Sequence, residues 1–63
     1  MATYLTSEEI AVTKRARMLG YLNHHIAAYY GINQGRIAEV NTGHRGAAIP
    51  PAATLPADFP KLA

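Results

Sequence analysis

Apolar and polar positions follow a helical rhythm through the first two-thirds of the chain, and Gly20, Gly31 and Gly43 fall where that rhythm breaks. In the first stretch Leu5, Val12, Ala16 and Leu19 share one face at a 3.6-residue period, while Lys14, Arg15 and Arg17 project elsewhere. Thr6-Ser7-Glu8-Glu9 has the form of a capping box, in which Thr6 accepts from the amide three residues on and Glu9 returns the bond. Leu5 and Ile10 have the spacing of a hydrophobic staple, and Glu8 and Glu9 stand where the helix dipole favours negative charge. These signals predict a first helix over 7–19, stopped by Gly20.

Ile26, Ala27 and Tyr30 repeat at three- and four-residue intervals, which predicts a second helix from 22 or 23 to 30, with Asn23 placed to cap it and Gly31 to end it. Gly31-Ile32-Asn33 reads as a tight turn, with Asn33 capping a third helix over 34–41 whose inner edge is Ile37 and Val40 and which Gly43 closes. Beyond Arg45 all four prolines occur, so neither a helix nor a central strand can continue there. That stretch predicts an extended arm, in which Ile49, Leu55 and Phe59 can clamp onto the helices or onto a second subunit. The expected fold is therefore all-α: a three-helix bundle over 1–45, followed by a proline-rich arm over 46–63.

Composition narrows this picture. A chain of 63 residues buries only about 60% of its unfolded surface, and without cysteine neither a disulfide nor a thiolate metal site can supplement the core. Dimerisation is a natural remedy. The apolar fraction of 49% argues against a wholly disordered chain, and no stretch approaches the roughly 18 apolar residues of a membrane span. Met1-Ala2-Thr3-Tyr4 has neither the positive start nor the apolar run of a secretory signal, so a cytoplasmic, nucleoid-associated location is expected. The formal charge of +2 conceals an uneven distribution. Lys14, Arg15, Arg17, Arg36 and Arg45 fall in the middle with Glu39 as their one opposing charge, and clustered positive charge beside helices suits phosphate.

The spacing from Ile26 to Val40 has a mechanical reading. Ala27 lets the second helix approach the third, Gly31 makes the sharp turn, and Ile26, Tyr30, Ile32, Ile37 and Val40 fill the space between them. Gln34, Gly35, Arg36, Ala38, Glu39 and Thr42 are then left outward, on a face suited to a major groove. From about Asn23 to Gly43 these residues resemble the helix-turn-helix DNA-binding family, especially its compact phage-repressor-like and recombinase-like versions. The stretch Gly31-Ile32-Asn33-Gln34-Gly35-Arg36-Ile37-Ala38-Glu39-Val40-Asn41-Thr42-Gly43 corresponds to the turn and recognition helix.

The resemblance implies base reading by Asn33, Gln34, Gly35, Arg36, Glu39 and Thr42. Gln34 suits adenine, Arg36 suits guanine or a phosphate, and Glu39 can accept from cytosine or orient Arg36. Alternatively, Arg36 and Glu39 form only a solvated ion pair. Phosphate contacts are expected from Asn23, from Tyr29 through its hydroxyl, and from His44 and Arg45; Tyr29 can instead simply cover apolar surface. Lys14, Arg15 and Arg17 can reach the same duplex or serve solubility.

His24, His25 and His44 raise a metal site, but adjacent helical side chains diverge by about 100° and no cysteine or nearby carboxylate completes a tetrahedron, so no metal or other cofactor is expected. Nor is catalysis: Ser7 has no neighbouring base in sequence, and no Walker-type loop occurs. The resemblance thus implies a sequence-specific regulator of double-stranded DNA, a repressor of phage or mobile-element type, working as a homodimer on half-sites about 34 Å apart. Two alternatives stay open: an architectural or packaging-related DNA binder, and a protein-interaction module that uses the proline-rich arm.

Overall fold

The computed structural model describes residues 5–61. Residues 1–4, read above for a secretory signal, lie outside the described residues, as do 62 and 63. The chain forms three helices, α1 (Ser7–Met18), α2 (Asn23–Tyr30) and α3 (Gln34–Thr42), with no strand among the described residues. All-α is therefore the class. No helix among the described residues is long and apolar enough to cross a membrane.

The start of α1 is the expected capping box: the Glu9 amide donates to Thr6 Oγ1 at 3.2 Å, and the Thr6 amide donates to Glu9 Oε1 at 2.8 Å. Asn33 caps α3 by accepting from the Gly35 amide at 2.7 Å. The start of α2 differs from expectation. Leu22 is its N-cap and no side chain caps it. Asn23 lies one residue too late for that task, and its Oδ1 instead accepts from Asn41 Nδ2 at 2.8 Å, tying the start of α2 to the end of α3.

All three helices stop in the same way. A glycine in the left-handed region follows the last turn, and the next amide reaches back to a carbonyl five residues earlier. These bonds run from Tyr21 to Ala16 (3.0 Å), from Ile32 to Ala27 (3.0 Å) and from His44 to Glu39 (2.9 Å), past Gly20, Gly31 and Gly43. This is the Schellman pattern, which satisfies carbonyls that the helix end leaves without partners.

The core is Ala16, Tyr21, Ile26, Ala27, Ile37 and Phe59, with Leu5, Val12, Tyr29, Tyr30, Ile32 and Leu55 packed around it. Helices α2 and α3 make the most extensive helix pairing, with the small Ala27 at 4% exposure letting the backbones close and Ile26 and Ile37 fully buried between them.

 On α1 the buried residues are Ile10, Thr13 and Ala16; of the face expected, Ala16 is in the core and Leu5 and Val12 pack against it, whereas Leu19 is 45% exposed. The physical reason is the reversal at Gly20: Tyr21 folds back over Ala16 and closes the core in the place assigned to Leu19.

The C-terminal segment, 44–61, contains neither helix nor strand and lies against the chain's own helices. The Ala52 amide donates to Ala11 O at 2.9 Å, and Lys14 Nζ donates to Gly46 O and Ile49 O, both at 2.5 Å. Phe59 is 7% exposed, its ring edge-on to Tyr21 at 5.1 Å and tilted on Tyr29 at 4.5 Å. Tyr21 Oη donates to Pro60 O at 2.7 Å. Of the two destinations open to Leu55 and Phe59, the structure takes the chain's own core.

Candidate nucleic-acid interface

Burial of Ile37 and Val40 orients α3, so its remaining positions form a polar ridge. Gln34, Gly35, Asn41 and Thr42 are exposed on it, and Ala38 is half-buried. Arg36 and Glu39 stand one turn apart, with Arg36 Nη1 donating to Glu39 Oε2 at 2.8 Å. Past Gly43 the chain folds back, and Arg45 Nε comes to 3.6 Å from Glu39 Oε1. Thr42 Oγ1 donates to Glu39 O at 3.3 Å and lies 2.8 Å from His44 Nδ1. Arg36, Glu39, Thr42, His44 and Arg45 are thus one cluster at the end of α3.

The expected phosphate ligands separate into two groups. His44 and Arg45 join the α3 ridge, and Asn23 joins it through Asn41. Asn41 is a member of the ridge that the sequence reading passed over; its signal is a second amide on the stretch paired with Asn23. Tyr29 belongs elsewhere. Its hydroxyl donates to Asp58 Oδ1 at 2.7 Å and its ring packs on Phe59, so the C-terminal segment holds the group assigned to phosphate. The hydrogen bond that Tyr29 donates to Asp58, then burial, then the Asp58 charge raise the Tyr29 pKa. Tyr30 beside it is pushed up to about 12, first by burial and then by the charges of Glu9, Tyr29 and Asp58.

The basic residues of α1 also divide. Lys14 staples the Gly46–Ile49 turn, and Arg17 Nη1 donates to Tyr21 O at 2.6 Å, so both serve the fold directly. An open groove of about 380 Å³ lies between them and the end of α3, lined in part by Met18, Val40, Thr42 and Pro51. His24 and His25, expected to diverge, lean ring to ring at 4.2 Å; both are exposed, and side-chain torsions bring the rings together despite the divergence of their Cβ atoms. Among the described residues no group of three or more His, Cys, Asp and Glu side chains is placed to hold a metal ion.

Comparison of the chain with protein-family models, with curated proteins and with solved structures gives no match.

Proposed function

We propose that this chain is a helix-turn-helix protein that binds double-stranded DNA through α3 and acts as a sequence-specific transcriptional regulator, most simply a repressor. The observation that carries the reading is the orientation of α3: Ile37 and Val40 are buried, and a ridge of small, polar and charged side chains faces away from the core. A nine-residue helix is about 13 Å long, which suits the roughly 12 Å width of a major groove. Gln34 and Arg36 supply hydrogen-bonding ends for base edges, while His44 and Arg45 flank them toward the backbone. The start of α2 adds support. With no side-chain cap, the Asn23 and His24 amides at its start have no side-chain acceptor, and a phosphate is a natural partner there.

A helix of that length reads only about four base pairs, so the reading includes a homodimer on paired half-sites about 34 Å apart. Met18, Leu19 and Leu22, respectively 64%, 45% and 50% exposed around the α1–α2 turn, are apolar surface suited to self-association. The alternative in which the C-terminal segment docks on another protein draws less support, because Phe59 is spent on the chain's own core.

Selection of bound duplexes from a random pool, followed by footprinting, tests the proposal. A preferred site bound more than about 10³-fold tighter than random duplex is expected of a regulator. Gln34→Ala or Arg36→Ala should then cost about 1–3 kcal/mol at one position of that site. Tight binding with no preferred site supports an architectural role, and no retention of any duplex in dilute buffer rejects DNA binding.

A further inference from the structure

Three candidates stand apart from the packing of the core: the exposed apolar side chains around the α1–α2 turn, the His24–His25 pair, and the carboxylate of Glu39 between two arginines. The third carries furthest. Glu39 Oε2 accepts from Arg36 at 2.8 Å, whereas Oε1 is sealed from solvent, has no hydrogen bond and faces Arg45 Nε at 3.6 Å. A sealed oxygen cannot accept from the edge of a cytosine without displacing its cover. The geometry therefore separates the two roles open to Glu39 and favours the one that acts through the arginines.

We propose that Glu39 is a positioning residue that latches Arg36 and Arg45 side by side and thereby sets sequence discrimination; this rests on the DNA-binding reading above. A lone phosphate must compete with the carboxylate for a guanidinium already engaged by it. A guanine edge presents two acceptors in the plane of the arginine fork and competes better. The carboxylate thus penalises random duplex more than the preferred site. It also leaves the three-residue cluster with one net positive charge instead of two, which lowers the counterion release available to non-specific contacts.

The experiment measures binding of the full chain to its selected duplex and to random duplex across salt, for wild type, Glu39→Gln and the control Glu8→Gln. Glu8 is exposed in the first turn of α1, and its substitution removes the same charge away from the ridge. Glu39→Gln should tighten random-duplex binding, steepen its log–log salt dependence by about 1, and lower the selected-to-random ratio at least tenfold. Glu8→Gln should leave that ratio unchanged. Equal tightening on both duplexes, or an unchanged ratio, overturns the proposal while leaving DNA binding intact.

A second readout needs no DNA. The Arg36 and Arg45 Nε–Hε resonances of the free protein should both shift in Glu39→Gln, and failure of either to shift overturns the latch. If wild type retains no duplex, the DNA-binding reading and the discrimination role fail together, and these resonances alone then report on the ion-pair geometry.

Discussion

The ends of α1 and α2 share a backbone device with the end of α3 but use it to opposite effect. Ala16 with Tyr21, and Ala27 with Ile32, are apolar pairs that the returning chain brings together, so the first two stops turn inward and build the core. Glu39 with His44 is polar, so the third stop turns outward and gathers Arg36, Thr42 and Arg45 around a carboxylate. The backbone bonds are alike. What decides whether a helix end stabilises the fold or furnishes a surface is the polarity of the two residues that the reversal brings together.

Removing a side chain at an inward stop should therefore cost far more than removing one at the outward stop. Tyr21→Ala removes a ring packed on Phe59 and the bond to Pro60, and should cost about 3–5 kcal/mol, most of the stability of a domain this small, as read by urea denaturation. At Gly31 the left-handed φ of 67° lies against open space, so Gly31→Ala should cost about 1–2 kcal/mol through backbone strain alone. Gly46→Ala should cost more than Gly31→Ala in the same assay, because a Cβ there would also meet Ile10 Cγ2 at 2.7 Å.

The interior offers a change of opposite sign. Thr13 is fully buried and its Oγ1 has no hydrogen-bond partner, so Thr13→Val should raise stability by about 1 kcal/mol in thermal melts. On the outward side, His44→Ala leaves the backbone stop intact and should change stability by no more than about 0.5 kcal/mol.

The tyrosines beside the inward stop of α2 add a test against pH. Folding raises the Tyr30 pKa from 10.0 to about 12, so the folded state holds that proton more tightly than the unfolded state. Its contribution is fully present below pH 10 and is lost as pH rises from about 10 through about 12. Alkaline titration of stability should show this fall, and Tyr30→Phe should flatten it.

Local chemistry made much of the architecture legible. Thr6 with Glu9, Asn33 before its helix, and the stop residues act on neighbours within a few positions, where side-chain reach settles the outcome. The outward positions of α3 were legible for a related reason, since burying Ile37 and Val40 leaves the opposite positions in solvent. Leu19 misled because the reversal at Gly20 lays Tyr21 over Ala16 in its place, and because the buried Thr13 is a polar residue that a hydrophobic pattern does not count. Asn23 misled because an amide that suits a cap also suits a partner on a second helix.

The order of short- and medium-range signals along the chain determined three helices, their caps and stops, and the polar face of α3. Tertiary structure alone decided that Phe59 enters the core beside Tyr21, that Asp58 holds Tyr29, that Lys14 staples the turn after Gly46, and that Arg45 returns to Glu39. Caps and stops are satisfied within one turn of helix and leave a periodic trace in sequence. The other contacts depend on where a chain reversal delivers a distant side chain, and their energies appear only once the core has brought the partners together.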